Sequence, residues 1–380
     1  MNTAQTSSRK IFIARRAAMQ GFTLIEMMVA MTLSLILLGG VLSVLYSSKL
    51  TYNENERTAR LQESMRAGVE IILHDLRAGG FPGCSRPLDT SPTGDFLSVL
   101  TSPTSLKWNF SLPVQGFNAT TTSWLPALPA PLDSEGVLTG NDVVVVRTVR
   151  SNARTYRLSS SMSAGTDDVV VEKLAGETLR AGVPMLISDC DKSTVFAVSS
   201  VVNGSTTATL QHAVGTASAV NATNTTNNIG VFKAIGNSAA TVAPIDTIMY
   251  FVAASGGRDI NGVSRGPALW RISSTEPATA PGTAQEVVEG VEALQIRYGV
   301  DTNGDMIVDT LPYVTANAVT NWNNVVAVSI AMVVRSPEEV NPTVQPALTF
   351  NLLGDDYTSP ADRRARAMFT TTVTLRNRTT

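Results

Sequence analysis

One stretch constrains this chain more than any other: residues 27–46 are twenty residues without a single charge, most of them apolar. A helix needs about 20 such residues to cross a bilayer core about 30 Å thick, so the stretch predicts a membrane-spanning helix. A single carboxylate, Glu26, stands immediately before it. Because an ionised carboxylate near the core costs about 2.5–3.5 kcal/mol on insertion scales, we expect Glu26 to have a specific role.

The residues before the apolar run predict its orientation. Four basic residues and no acid precede Phe22: Arg9, Lys10, Arg15 and Arg16. Positive residues stay on the cytoplasmic side, which predicts that the body of the chain lies outside the cytoplasm. A secretory signal peptide is one alternative, but residues 47–62 contain no convincing small-residue cleavage site. A plain membrane anchor explains the charge and the length, but not residues 21–26.

Composition excludes one class of partner. Hydrophobic residues make up 43% of the 380 residues and charged residues only 16%, which suits a β-rich extracellular chain. The net charge is −2, and removing the four basic residues before Phe22 leaves the rest near −6. No basic patch is left in the body of the chain, so we expect no nucleic-acid binding.

The hexapeptide GFTLIE at residues 21–26, between the basic leader and the apolar run, resembles the class III signal of type IV prepilins and type II secretion pseudopilins. In that family a membrane-embedded prepilin peptidase cuts after the Gly and methylates the new amino terminus. The resemblance implies cleavage between Gly21 and Phe22 and N-methylation of Phe22. It also implies that Glu26 is an assembly carboxylate, whose partner is the amine of Phe22 in the same or a neighbouring subunit. A buried charge is tolerable only when it is paired, which gives this role its physical basis.

The helix is predicted to continue beyond the membrane. An apolar stripe recurs at spacings of three and four residues: Leu61, Met65, Val69, Ile72 and Leu76. The intervening polar residues, Asp75 among them, are interpreted as a solvated face. Gly79 and Gly80, followed by Pro82 and Gly83, predict the end of the helix.

The remainder reads as β structure. The middle of the chain has short runs rich in Val, Ile and Thr, at residues 142–149, 168–174, 184–188, 194–202, 206–212, 247–253 and 269–273. Residues 113–133 are interpreted as loops, and residues 214–228 as a polar, exposed loop. Three further strands are predicted near the C-terminus, at residues 290–298, 325–335 and 369–377.

Three motifs resemble the PilW family of minor pilins: RAGGFxGC at residues 77–84, VRS at residues 334–336, and RRxxxxFTTTV at residues 363–373. The resemblance covers residues 21–84 and about 285–378. It implies an α+β, pilin-like fold, with a long N-terminal helix packed on an antiparallel β-rich domain enlarged by insertions. The expected divisions are a leader peptide (1–21), a transmembrane and assembly helix (22–46), its amphipathic continuation (47–79), a variable β-rich region (80–240) and a C-terminal pilin-family region (241–380).

The two cysteines, Cys84 and Cys190, belong to no CxxC or metal-ligand cluster. They are either inert buried thiols or, if the body lies outside the cytoplasm, a disulfide. Such a disulfide would close a loop of over 100 residues, worth up to roughly 4–5 kcal/mol in the chain-entropy model.

Little in the sequence points to catalysis. His74 and His212 are the two histidines, and the common nucleotide, hydrolase and zinc motifs are absent, so we predict no enzyme. Residues 301–309, DTNGDMIVD, place oxygen side chains where a Ca²⁺ loop has them: Asp301, Asn303, Asp305 and Asp309. The Gly is fourth rather than sixth, and Pro312 stands where an EF-hand has a bidentate Glu. A polar β-turn is the alternative.

The resemblance implies a minor pilin that initiates or caps a type IV pilus, with roles in adhesion, twitching motility or DNA uptake. Its expected partners are other minor pilins, the major pilin, the prepilin peptidase and a pilus-tip adhesin. It is expected in the inner membrane, with its C-terminal domain periplasmic, until it joins the fibre. The alternatives are a minor pseudopilin of a type II secretion system, a membrane-anchored periplasmic enzyme or binding domain, and an uncleaved anchor.

Overall fold

The computed structural model describes residues 22–80, 96–150, 153–189, 191–215, 222–234, 239–258, 262, 265–276, 282–341, 343–375 and 377. The chain divides into two compact units, one ending at Asn55 and the other running from Glu56 to Thr380. One long helix, α1 (Leu24–Ala78), contributes its first part to the first unit and its last part to the second.

Eighteen strands follow in the described residues. They are β1 (Phe96–Ser98), β2 (Val114–Ala119), β3 (Trp124–Leu125), β4 (Val143–Val149), β5 (Tyr156–Arg157), β6 (Val169–Glu172), β7 (Pro184–Ser188), β8 (Ser193–Ala197), β9 (Ser200–Asn203), β10 (Thr207–Gln211), β11 (Thr241–Ala254), β12 (Pro267–Ser273), β13 (Ala284–Glu289), β14 (Val291–Val300), β15 (Val325–Arg335), β16 (Thr349–Leu352), β17 (Asp355–Thr358) and β18 (Arg366–Thr374). Short 3₁₀ helices lie at Leu132–Ser134, Ala316–Ala318 and Trp322–Asn324.

The predicted amphipathic stripe forms the contact between the helix and the sheets. Leu61, Val69, Ile72 and Leu76 are buried, and Met65 packs partly buried against the same core. This core also takes in side chains of β4, β11, β14 and β15. At Gly68 the helix approaches β13 so closely that an added Cβ would lie 2.8 Å from Val288 Cγ2. The α+β, pilin-like architecture expected from the sequence is therefore confirmed.

The largest sheet is organised around β11. It runs in the order β1-β8-β7-β11-β4-β2-β3, with β5 and β12 also pairing with β11 and β13 pairing with β12. Apart from the parallel pair of β1 with β8, its neighbours are antiparallel. The first part of β11 pairs with β5 and β7, and its second part with β4 and β12. A single strand thus forms hydrogen bonds both with β5 and β7 from the middle of the chain and with β12 from the C-terminal region.

The middle of the chain has a core of its own. Side chains from β6, β7, β8 and β10 meet there, with Phe196, Leu210 and Phe232 fully buried. The three strands β6-β10-β9 form a separate small sheet against it. The predicted strand at residues 194–202 is two strands in the structure, because the chain leaves β8 after Ala197 and pairs again as β9.

Two loop interpretations are wrong in part. The Pro-rich residues 113–133 include β2, which pairs with the buried β4 over Val114–Phe117, so pairing overrides local composition. In the segment 214–228, Asn224 is buried rather than exposed. Its side-chain Nδ2 donates to the carbonyl oxygen of Ala197, and its Oδ1 accepts from the backbone N–H of Ala197, both at 2.8 Å.

The C-terminal sheet has the order β14-β15-β18, all antiparallel. One face packs against α1 through Val328, Ile330 and Met332. The other face is covered by the β16–β17 hairpin, whose Leu352 packs against Ala331 and Val333. The alternation along β15 therefore has apolar residues on both faces, as expected of a central strand.

Candidate assembly site

The start of α1 is closed by a reciprocal side-chain cap. Thr23 precedes the helix, and its backbone N–H and hydroxyl both donate to Glu26 Oε2 at 3.0 Å. In return, Glu26 N–H donates to Thr23 Oγ1 at 3.3 Å. This is the capping-box pattern of a Thr and a Glu three residues apart. The T-x-x-E motif at residues 23–26 is a local signal of this cap, although the sequence prediction for Glu26 was an assembly role alone.

The cap leaves part of the Glu26 carboxylate available. Both bonds from Thr23 go to Oε2, and Oε1 has no hydrogen bond to any of the described residues. Phe22, four residues before Glu26 in the chain, is 87% exposed. A carboxylate in this position can cap its own helix and still accept a hydrogen bond from an amine.

The helix that follows has an apolar surface on all sides. Its large apolar residues from Phe22 to Tyr46 are between 47% and 87% exposed, and its most apolar window has a mean hydropathy of 2.4. By length and composition α1 can span a membrane, and among the described residues it is the one helix that can. Such a surface needs a lipid environment or other apolar helices around it.

Asp75 holds the other end of the helix on the large sheet. Tyr250 of β11 donates its hydroxyl to Asp75 Oδ2 at 2.6 Å, and Arg271 of β12 lies 3.4 Å from the same oxygen. Burial, together with the charge of Asp75, raises the pKa of Tyr250 well above its ordinary value. The assignment of Asp75 to a solvated face is therefore wrong, since its side chain is buried between helix and sheet.

The helix ends where the sequence predicted, and its last carbonyls are bonded across the fold. Gly80 has a positive φ of 71° and donates its N–H to the carbonyl of Arg147 at 2.8 Å. The hydroxyl of Thr148 donates to the Ala78 carbonyl at 2.8 Å. Asn377, near the C-terminus of the chain, donates to the same carbonyl at 3.3 Å and to that of Gly79 at 3.1 Å.

The arginine motifs near the C-terminus meet at one buried carboxylate, Glu292. Arg366 donates to it through Nε at 2.7 Å and Nη2 at 3.0 Å, and Arg335 through Nη1 at 3.3 Å. Arg366 also makes two 2.7 Å bonds to Asp362, which lowers the pKa of that carboxyl. Arg364 donates to the carbonyl of Ser336 at 2.8 Å. Arg335, Arg364 and Arg366 belong to the motifs that resemble PilW, but their partners could not be predicted from the sequence.

The loop at residues 301–309 folds around its own acidic side chains. Met306 N–H donates to Asp301 Oδ2 at 2.8 Å, and Gly304 N–H to Oδ1 at 2.7 Å. Asp309 Oδ2 accepts from the N–H and hydroxyl of Thr302, both at 2.7 Å, which lowers its pKa. Met306, the sixth residue, has a φ of +65°, the left-handed conformation that the invariant sixth Gly supports in an EF-hand. Within the described residues, no three His, Cys, Asp or Glu side chains converge as a metal site, and calcium binding stays a prediction.

Calorimetry of the full chain in detergent with Ca²⁺ tests this prediction. We expect binding heat with a Kd of about 10⁻⁴ to 10⁻³ M, the range of extracellular calcium modules. Asp305→Ala should abolish the heat, because it removes the fifth-position oxygen. Asp133→Ala, an exposed acid outside the loop, is the matched control and should bind like the wild type. If the wild type gave no binding heat with Ca²⁺, the loop would be a polar turn without a calcium site.

Several predicted positions lie outside the described residues. They are Gly21, Cys84 and Cys190, so neither the cleavage site nor the disulfide alternative receives a structural answer. Of the two histidines, His74 is exposed beside Asp75. His212 is buried, with Nε2 2.9 Å from the carbonyl oxygen of Asp167.

A capped apolar helix at the N-terminus, followed by a β-rich domain that packs on the continuation of that helix, is a pilin-like arrangement. The comparisons agree: the family model for type IV pilus-assembly protein W (PilW) matches residues 249–377, and the model for the prokaryotic N-terminal methylation motif matches residues 16–42. The C-terminal third of the chain is thus similar to the PilW proteins of type IV pili, and its N-terminus is similar to that of prepilins. No curated protein matches the chain.

Proposed function

We propose that this chain is a minor pilin that initiates or caps a type IV pilus together with other minor pilins. The observation that carries the proposal is the exposed apolar helix surface from Phe22 to Tyr46 beside a carboxylate with a free oxygen. In the membrane lipid covers this surface, and in a fibre sister helices replace the lipid. The function is association, with no catalytic step.

The proposed partners follow from the same surface and from the family. Other minor pilins and the major pilin pack on α1, the prepilin peptidase processes the leader, and a pilus-tip adhesin joins the β-rich domain. Before assembly the chain is held in the inner membrane with this domain in the periplasm, since four basic residues precede Phe22. In the fibre the chain then supports adhesion and twitching motility.

The first experiment identifies the mature N-terminus by mass spectrometry, in cells with and without the prepilin peptidase. We expect N-methylated Phe22 with the peptidase and the uncleaved leader without it. A retained Met1 in both strains would refute the pilin assignment and favour a plain anchor with a periplasmic domain.

A second readout separates the pilus from its closest relative. Sheared surface fibres are analysed for the chain, and protein secretion is measured in a deletion strain. A minor pilin is present in the fibres in trace amounts relative to the major pilin, and its deletion leaves secretion intact. Loss of secretion with no chain in surface fibres would instead identify a type II secretion pseudopilin.

A further inference from the structure

Asp246 is a buried carboxylate at the point where β11 changes its pairing partner. The residue is 1% exposed. Pro244 is the last residue of β11 that pairs with β7, and Ile245 is the first that pairs with β4. Residues 244–246, the β11 joint, therefore connect the part of the strand that pairs with the middle region to the part that pairs with β4 and β12.

The hydrogen bonds of Asp246 come from two neutral hydroxyl groups at the end of β12. Ser273 donates to Oδ2, and Ser274 donates to Oδ1 at 2.8 Å. Both serines are buried, and both are held in place by the main chain. Ser274 Oγ accepts from the N–H of Thr247 at 3.1 Å, and Ser273 Oγ accepts from the N–H of Glu276 at 2.8 Å. The carboxylate thus links β11 to β12 through groups that carry no charge.

The cations nearest to Asp246 are paired with other carboxylates. Arg271 of β12 and Arg150, which follows β4, both lie near enough to favour the charged form of Asp246. Arg271, however, forms its ion pair with Asp75 at 3.4 Å, and Arg150 forms its ion pair with Glu276 at 2.8 Å. Within the part of the chain that the structure describes, Asp246 itself has hydrogen bonds to serines but no ion pair.

This environment favours the neutral form of the carboxyl group. A buried carboxylate without an ion pair is costly, so such a group takes up a proton instead. Burial raises the pKa of Asp246, although the two serine hydroxyls and the two arginines act in the opposite direction. The protonated group can stay where it is, because a serine oxygen has two lone pairs and can accept a hydrogen bond as well as donate one.

We propose that Asp246 is a proton-binding site, which makes the β11 joint more stable in mild acid than at alkaline pH. With the proton bound, β11 and β12 are connected at the joint by neutral hydrogen bonds alone. Without it, a buried negative charge lies in the strand that connects the two parts of the large sheet. The inference goes beyond the proposed function and does not depend on it, because it concerns the folded β-rich domain by itself.

The direction of the pH effect follows from the raised pKa of Asp246. In the unfolded chain an aspartate titrates at about 3.9, so between that value and the higher folded pKa the folded state binds one proton more than the unfolded state. The stabilisation is fully present below about pH 4, and it is lost as the pH rises through the folded pKa. Within that window, one bound proton changes the unfolding equilibrium constant about tenfold per pH unit.

The test compares the wild type with Asp246→Asn, which has the shape of the neutral carboxyl group but cannot titrate. Urea unfolding of the full chain in detergent, followed by tryptophan fluorescence, gives the unfolding constants from pH 4 to pH 8. The ratio of the variant's constant to that of the wild type cancels the groups that both chains share, such as Asp142, whose pKa burial raises to about 6. We expect this ratio to fall by about tenfold or more from pH 4 to pH 8, because the wild type alone loses the proton.

Two further variants keep the test conclusive. Asp133→Asn removes an exposed carboxylate by the same chemical change, and its ratio to the wild type should stay within about threefold over the same pH range. Asp246→Ser replaces Asp246→Asn if the asparagine variant does not fold. The serine also cannot titrate between pH 4 and pH 8, and the readout is the change of the ratio with pH rather than the stability of the variant itself.

The outcomes separate this inference from the proposed function. A ratio for Asp246→Asn that stays constant from pH 4 to pH 8, or that rises with pH, would overturn the proton-binding site, because Asp246 would then be ionised in the folded chain throughout. Cleavage after Gly21 by the prepilin peptidase is measured independently. A cleaved chain with a constant ratio refutes the proton-binding site alone, and an uncleaved chain whose ratio falls with pH refutes the pilin assignment alone.

Discussion

In sheared pili, the Glu26→Gln chain is expected to be about 100-fold less abundant than the wild type, although it is synthesised, inserted and cleaved normally. In the proposed function, cleavage after Gly21 leaves a charged amine at Phe22, which would have to enter a low-dielectric bundle of helices. Breaking a buried charge pair costs about 3–5 kcal/mol, and every 1.4 kcal/mol is a factor of ten in a binding equilibrium. The measurement is quantitative mass spectrometry of the chain relative to the major pilin, with the membrane fraction as reference.

Thr23→Val is the control that separates assembly from helix capping. Glutamine can take the place of glutamate in a capping box, so Glu26→Gln retains the cap and loses the charge. Thr23→Val retains the charge and loses the hydroxyl that bonds to Oε2. We expect Thr23→Val to change incorporation by less than about threefold, because it affects one cap of a 55-residue helix. The reverse order of effects would assign Glu26 to capping alone.

Glu292→Gln is expected to lower the free energy of unfolding by about 3 kcal/mol or more. The side chains of Glu292 and Arg366 are buried, and Glu292 pairs with the guanidinium groups of Arg335 and Arg366. The neutral amide of a glutamine at position 292 cannot balance those two positive charges. Equilibrium urea unfolding of the full chain in detergent, followed by tryptophan fluorescence, measures the loss.

Two further variants test the cause of that loss. Glu172→Gln changes an exposed carboxylate and should stay within about 0.5 kcal/mol of the wild type. Adding Arg335→Met to Glu292→Gln should cost less than the two single changes together, because one unpaired guanidinium disappears. If Glu292→Gln lowered the free energy of unfolding by less than about 1 kcal/mol, Asp362 alone would be enough to balance the charge of Arg366.

The sequence predicted those parts of the fold that are encoded locally. Residues 61–76 repeat apolar side chains at helical spacing, and the structure buries that stripe. The strand at 184–188 has the predicted bounds, because a short apolar run between turn residues indicates a strand by itself. The GFTLIE motif likewise identifies the N-terminal segment as prepilin-like, because the signal lies in six consecutive residues and does not depend on the fold.

The parts that were missed depend on distant residues. Asp75 reads as a surface residue because its partners, Tyr250 and Arg271, lie 175 and 196 positions away. Strand β2 reads as a loop because its stability comes from pairing with β4 rather than from its own propensity. The carboxylate at Glu292 was not connected with the arginine motifs for the same reason. The cap by Thr23 is different, since its signal was local.

Strand β11 has a mechanical consequence. Tyr250 near one end bonds to Asp75 of the helix, and Val242 near the other end pairs with β7 in the middle region. A pull on that region would therefore reach the helix along one continuous strand, because Val242 and Tyr250 both lie in β11 and are about 26 Å apart at 3.3 Å per residue, with no loop between them. Tension along the strand would load its flanking hydrogen bonds in shear, so that they would break together rather than one after another.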